Sequence, residues 1–261
     1  MIPTAQITEW RRHAPWANDD DVEQDLVISR ALIELFRVQF LRDRLAFRGG
    51  TALHKLVLAP ATRYSEDIDL VLLVDEPLGP ILDAVRDALA WINPKPTRDR
   101  GFNLTMKFGF ETAAGTPRKL KVEANRGEHF SAPRVVEVAY SVDSPFFKGD
   151  TRIRTYALEE LLSTKFRALY QRSKGRDLYD LWYAAQQKQV AFDQVYALFT
   201  EYWKNDGKET LRRDAVRQNM DAKHARGVFA DVRPLLRTGT AYDPDTAYAW
   251  FDATLLPLFP A

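Results

Sequence analysis

Residues 68–74, Ile-Asp-Leu-Val-Leu-Leu-Val, form an almost unbroken aliphatic run between a charged stretch and Pro77. Continuous β-branched and aliphatic residues of this length fit a strand covered on both faces, and such a strand needs a sheet around it with other elements over it. The flanking sequence supplies them. Residues 18–41 open with acidic side chains and then place Val22, Leu26, Leu32, Leu35, Phe36 and Phe40 at helical spacing, which predicts a helix with a dipole-compatible start. Residues 45–58 read as strand, Gly-Gly turn and helix, and residues 78–92 as another helix. Alternating residues in 103–112 and 118–126 predict a pair of strands, and 135–140 a further one.

From Leu158 onward the period changes. Residues 158–172, 177–187, 192–203 and 210–220 are all helix-like, punctuated by Gly175, Gly207 and Gly227. The expected fold class is α+β: a mixed β-sheet flanked by helices over residues 1–155, then a helical domain over 156–261. A length of 261 residues has room for both. The chain has no cysteine, which excludes disulfides, Cys-based zinc or iron–sulfur sites and a cysteine nucleophile. The N-terminal residues lack the basic start and apolar run of a signal peptide, and no stretch approaches a membrane-spanning length. The expectation is a soluble, cytoplasmic protein without a membrane partner.

Lys and Arg number 37 against 36 Asp and Glu, a formal charge of +1. A polyanion partner therefore needs local basic charge. Residues 163–176 carry five basic side chains and no acid, residues 208–226 six against three, and residues 95–134 nine against four. Each could be a solvated face; together they could line a groove for a nucleic-acid backbone. The candidates for RNA contact are Arg167, Arg172, Lys174, Arg176, Arg212 and Arg213. Phe166, Tyr170, Tyr179, Trp182 and Tyr183 interleave this region at helical spacing and read as core, not as stacking platforms. His13, His54, His129 and His224 show no metal-ligand spacing and read as structural or surface residues.

The segment richest in chemistry is Arg48-Gly49-Gly50-Thr51, followed by Arg63-Tyr64-Ser65-Glu66-Asp67-Ile68-Asp69. Two glycines between a strand and a helix allow close backbone approach to a phosphate, with free N–H groups at the helix start. Asp67 and Asp69, one residue apart on a strand, point to the same side of the sheet. Two such carboxylates repel unless a cation lies between them, and Mg²⁺, which completes its oxygen shell with substrate phosphates, explains the pair as a metal site for a nucleoside triphosphate. A two-metal site is expected, which needs more negative charge than two aspartates supply, and Glu123, in the alternating segment Lys-Leu-Lys-Val-Glu-Ala-Asn, is the nearest candidate third ligand. Taken singly, Gly-Gly-Thr is also an ordinary turn and Asp-x-Asp an ordinary strand end. The succession of glycine turn, helix, Asp-x-Asp strand and later carboxylate is similar to the arrangement of polymerase-β-type nucleotidyltransferases.

Gly49-Gly50-Thr51-Ala52-Leu53-His54-Lys55, Arg63, Ser65, Asp67-Ile68-Asp69, then Lys165 and Arg176-Asp177 with Asp180, resemble the four-motif pattern of the AbiEii/MenT family of nucleotidyltransferase toxins. The resemblance spans residues 48–182. It implies a toxin of a bacterial toxin–antitoxin or abortive-infection system that uses an NTP and Mg²⁺, adds a nucleotide to the 3′ acceptor end of tRNA, and so blocks aminoacylation and translation. It implies NTP contacts from Gly49, Gly50, Thr51, Arg63, Ser65 and Lys165, metal contacts from Asp67 and Asp69 with Glu123 assisting, and catalytic roles for Asp67, Asp69, Lys165 and Asp180. The active site is expected in the cleft between the two domains of a monomer, with a cognate antitoxin as partner. The family's third acidic position is variable, and Glu123 stands there.

Lys165 lies with Leu161 and Leu169 on an apolar helix stripe, where a lysine either snorkels or meets an anion. Asp177 is either an N-cap after Gly175 or part of the site, and Asp180 either orients Lys165 or the attacking hydroxyl or pairs structurally. Ser65 either satisfies its turn or, as in part of the family, is phosphorylated by the antitoxin, which would repel the NTP. Two other functions share these residues: transfer to a protein or small-molecule acceptor, and an inactive module that binds RNA or a partner.

Overall fold

The computed structural model describes residues 2–99 and 103–261; Arg100 of the basic segment 95–134 lies outside them. The chain forms two compact units, Met1–Ala157 and Leu158–Ala261. The fold class is α+β, as the periodicities predict.

The first unit runs α1 (Thr4–Trp10), α2 (Asp19–Arg37), α3 (Gln39–Arg42), β1 (Leu45–Arg48), α4 (Gly49–Ala52, continued as a π-turn over Leu53–Val57), β2 (Asp67–Leu72), α5 (Leu78–Ala88), β3 (Thr97–Asp99), β4 (Leu104–Glu111), β5 (Pro117–Asn125), β6 (Val135–Asp143) and β7 (Lys148–Tyr156). The sheet order is β1-β2-β5-β4-β3, with β2 and β5 parallel and the other neighbours antiparallel. β6 and β7 form a separate hairpin. Side-chain alternation makes the large sheet two-faced. Ile68, Leu70, Leu120, Val122, Ala124, Leu104, Met106 and Phe108 are buried on one face, and the residues between them are polar and half-buried.

α2 starts where the acidic cluster predicts: the Asn18 side chain accepts a hydrogen bond from Asp21 N at 2.8 Å, and Asp19, Asp20 and Asp21 occupy the first turn. It contacts α1, α5, β2, β5, β6 and β7, burying the stripe from Val22 to Phe36. The helix expected over 18–41 is interrupted at Val38, whose backbone is extended (φ −72°, ψ 107°), and Phe40 instead lies under the Arg44 guanidinium at 4.0 Å. β2 ends at Leu72, two residues before the expected limit, and only its Leu70–Leu72 part is covered on both faces. α1 and β7 have no counterpart in the reading from sequence.

The second unit is helical: α6 (Leu158–Gln171), α7 (Gly175–Gln187), α8 (Phe192–Asn205), α9 (Arg213–Ala225) and α10 (Pro244–Thr254), with short 3₁₀ turns. Its core is aromatic. Phe166 meets Phe199, Phe251 and Phe259 with ring centroids 5.0, 6.2 and 5.5 Å away, and Tyr179 is fully buried, in keeping with the core reading of the aromatic spacing.

Candidate active site

β1 delivers the chain to Gly49, and β2, its antiparallel neighbour, returns beside it with Arg48 opposite Asp69. Gly49 has φ +78°, and a Cβ there would stand 2.2 Å from Asp69 Oδ2, so only glycine lets the turn pass this carboxylate. At Gly50 a Cβ would stand 2.5 Å from Arg63 Nη2 and 3.1 Å from Ser65 Oγ. The loop from 59 to 66 thus folds back onto the glycine turn. Thr51, 1% exposed, holds the two together: its hydroxyl donates to the Asp67 carbonyl at 2.6 Å and lies 2.9 Å from Ser65 Oγ. Arg63 is also buried, with Nη1 donating to the Tyr64 carbonyl at 3.0 Å. Thr51 and Arg63 therefore build the turn from inside. Ser65 is half-buried and completes it, the turn-satisfying arrangement. The N–H groups at the start of α4 receive no side-chain cap, since Arg48 has no acceptor to offer.

Asp67 and Asp69 share the polar face of β2, as their spacing requires, and both are half-buried. The parallel register places Lys121 opposite Asp67 and Glu123 opposite Asp69. The four side chains form a patch on one sheet face. The Lys121 ammonium binds Glu123 Oε2 at 2.5 Å. Partial burial lowers the Lys121 pKa, but the hydrogen bond and charge of Glu123 and the fields of Asp67 and Asp69 outweigh it and leave it above the usual lysine value. Two neighbouring cations are engaged elsewhere, Arg48 by Glu128 and Lys107 by Asp99.

Among the described residues no three His, Cys, Asp or Glu side chains converge so that they could hold a metal ion. The donor chemistry nevertheless suits Mg²⁺: Asp67 and Asp69 offer hard carboxylate oxygens, and this ion draws the rest of its shell from water and substrate phosphates. The tight approach of Gly49 to Asp69 sets the turn's backbone beside the Asp69 carboxylate. Reading the sequence for carboxylates identifies Glu123 but misses Lys121, although the same alternation that brings Glu123 to this face brings Lys121 with it.

In the second unit α6 and α7 bring together the other family-motif residues. Lys165 Nζ lies 2.9 Å from Asp180 Oδ2 and 3.3 Å from Asp177 Oδ1, and all three side chains are buried. Arg172 reaches Asp177 with both Nε (2.7 Å) and Nη2 (2.8 Å). Burial pushes the Asp177 carboxyl up, and the charges of Lys165 and Arg172 outweigh it, so its pKa ends below the usual aspartate value. Asp177 is two residues inside α7, whose N-cap is Lys174, so it is not itself the cap. Lys165 meets anions and does not snorkel. Sequence reasoning misses Lys223: its ammonium donates to the Leu169 and Tyr170 carbonyls at the end of α6, and burial lowers its pKa to about 8.

The six basic candidates for RNA contact divide. Arg172 is bound to Asp177, Arg167 lies 3.5 Å from Asp206 and over the Tyr202 ring at 5.0 Å, and Arg213 donates to the Pro257 and Phe259 carbonyls. Lys174 and Arg212 are exposed and Arg176 half-buried, and among the described residues no ion pair links these three to an acid.

Residues 30–253 match a family described as nucleotidyl transferase AbiEii toxin, type IV TA system. A solved structure of MenT4, a nucleotidyltransferase toxin from Mycobacterium tuberculosis H37Rv, superimposes with a TM-score of 0.61 over 100% of both chains at 22% identity. An antigenic nucleotidyltransferase-like protein from Paracoccidioides brasiliensis is similar over 68% of this chain and 88% of its own, with a TM-score of 0.42 and 16% identity. No curated protein matches the sequence.

Proposed function

We propose, because this chain belongs to the AbiEii family of nucleotidyl transferase toxins from type IV toxin–antitoxin systems, that it transfers a nucleotide from an NTP to the 3′ acceptor end of tRNA and so stops aminoacylation and translation. The observation that carries this reading is the polar sheet face that Asp67 and Asp69 share, with Asp69 in register with Glu123 and directly beside the Gly49–Gly50 turn. In this reading the backbone of Gly49, Gly50 and Thr51 holds the triphosphate, and the buried Arg63 adds positive charge behind the turn. Asp67 and Asp69 would hold Mg²⁺, with Glu123 adjacent. When bound, the ion stabilises negative charge on the phosphates and lowers the pKa of the attacking hydroxyl. The RNA 3′-hydroxyl forms a bond to the α-phosphorus, the bond to the β-phosphate oxygen breaks, and pyrophosphate leaves in line.

Lys165 is assigned to neutralising triphosphate charge and Asp180 to orienting its ammonium. Lys174, Arg176 and Arg212 suit an RNA backbone, since no internal acid competes for them among the described residues. A cognate antitoxin is the expected partner, and Ser65 in the phosphate turn is a suitable target, because phosphorylation would place about two negative charges where the NTP binds. No helix among the described residues is long and apolar enough to cross a membrane. The cytoplasm is the compartment this reading calls for. The chain is taken to act as a monomer.

The test is incubation with Mg²⁺, each α-labelled NTP in turn and total tRNA, beside an Asp69→Ala control. Asp69-dependent label at the tRNA 3′ end is the expected result. Absence of label with all four NTPs would sink the tRNA assignment, and label on protein or on a small molecule would move the acceptor.

A further inference from the structure

Lys121 occupies a position that a site built only to collect cations would not give to a lysine. It stands opposite Asp67 in the parallel register, two residues before Glu123 and on the same face. Its ammonium is bonded to the Glu123 carboxylate. Two further cations bordering this face are held by other acids: Arg48, opposite Asp69, by Glu128, and Lys107, opposite Lys121, by Asp99. The Lys121–Glu123 pair cancels within itself and leaves the carboxylates of Asp67 and Asp69 as the oxygen donors for a divalent ion. The third acid is also withdrawn, consistent with the absence of a convergent three-carboxylate set among the described residues.

We propose that Lys121 is a built-in counter-ion of the carboxylate site, which neutralises Glu123, keeps it out of the metal shell and limits the protein to one divalent ion held by Asp67 and Asp69. A second ion then arrives only with the nucleotide. The inference rests on the nucleotidyltransferase reading of this site but concerns how the protein itself counts metal.

The test is titration of the full chain with Mn²⁺ alone, with free Mn²⁺ counted by electron paramagnetic resonance. The wild type should bind one ion. Lys121→Met raises the negative charge of the patch by one. A unit charge about 6 Å from a divalent ion in a water-like dielectric changes affinity about tenfold. The variant should therefore bind Mn²⁺ about tenfold tighter or take up a second ion. The double variant Lys121→Met/Glu123→Gln restores the original charge and should return to within about threefold of the wild type. Lys121→Arg keeps the charge and should stay at one ion.

If the double variant instead binds Mn²⁺ at least about tenfold more weakly than the wild type, Glu123 is a ligand and the proposal fails. It also fails if Lys121→Met leaves both number and affinity unchanged, or if the wild type binds two ions or none. Circular dichroism of each variant separates these outcomes from misfolding, and the Arg variant keeps the comparison if the Met variant does not fold. Labelled-NTP transfer on the same preparations distinguishes the two readings. One Mn²⁺ without any transfer removes the proposed function and leaves the counter-ion standing. Transfer by a protein whose Glu123 proves to be a ligand does the reverse.

Discussion

Substituting Gly49 by alanine probes the geometry that joins the glycine turn to the carboxylates. The substitution acts in two ways. A non-glycine residue held at φ +78° costs about 1–2 kcal/mol in left-handed strain. The new Cβ would also lie 2.2 Å from Asp69 Oδ2 and 3.0 Å from Asp69 Cβ and Cγ. The first of these is more than about 1 Å short of an ordinary contact, so the Asp69 carboxylate has to swing away or the turn has to open. A displacement of that size at a reacting centre is worth on the order of 100-fold in rate. Gly49→Ala should therefore lose about 100-fold in nucleotide transfer and about 2 kcal/mol of stability, or roughly 4–8 °C in Tm for a chain of this size. Combining it with Asp69→Ala separates the two effects, because that change removes Oδ2 and Cγ and leaves only the Cβ contact. In a thermal-unfolding double-mutant cycle the Gly49→Ala cost should fall by more than about 0.5 kcal/mol in the Asp69→Ala background. Additivity within that margin, together with a Gly49→Ala protein that transfers nucleotide at the wild-type rate, would show that the Asp69 carboxylate does not work in the space over Gly49.

Three further outcomes follow from the same structure. Asp177 has a folded pKa below its unfolded value near 3.8, so its stabilising contribution is complete above about pH 4 and is lost as pH falls through the folded pKa. Lys165→Met removes its largest attractive charge, so acid unfolding followed by far-ultraviolet circular dichroism should shift to higher pH; an unmoved midpoint would mean that the pair is not coupled to folding. Ser65→Asp places a negative charge in the phosphate turn and should raise the KM for NTP at least about tenfold over Ser65→Ala, and equal KM values would refute the charge argument. Lys174→Glu combined with Arg212→Glu should weaken tRNA binding and flatten its salt dependence by about two counterions in log–log slope, and an unchanged slope would place the RNA elsewhere.

The parts of the site legible in the sequence are those governed by local periodicity. Asp67 and Asp69 must share a face because strands alternate, and Gly49-Gly50 before an amphipathic stretch already marks a close approach. Lys121 was equally accessible by that rule, but it emerges as part of the site only once the parallel pairing of β2 with β5 puts it opposite Asp67. Register between strands some fifty positions apart in sequence is not written in either strand alone. The meeting of Lys165 with Asp177 and Asp180 depends on the turn between α6 and α7, whose path no helical period encodes. The break of α2 at Val38 escaped for the opposite reason: the apolar spacing continues to Phe40 with no Gly or Pro to mark a stop, and the ring finds its partner in Arg44. β7 was missed because Lys-Gly-Asp-Thr-Arg-Ile-Arg carries little apolar alternation, and the hairpin with β6 supplies its order.

The formal charge of +1 conceals how the ionic groups are committed. Inside the protein a charge is tolerated when an opposite one meets it. Lys55 is matched by Asp25 and Arg48 by Glu128, with both members of each pair largely buried. Such pairs add equally to both columns of the total and project little field. What a ligand feels is the remainder. On the sheet face around Asp69, the carboxylates of Asp67, Asp69 and Glu123 gather about the Lys121 ammonium. At Lys174, Arg176 and Arg212 the remainder is positive, because among the described residues no acid pairs with them. Local excess of either sign, and not the sum, decides where a cation or a phosphate backbone binds. A chain with almost no net charge can therefore present an acceptor for metal and a donor surface for RNA, provided that its internal pairs keep the rest of its charges occupied.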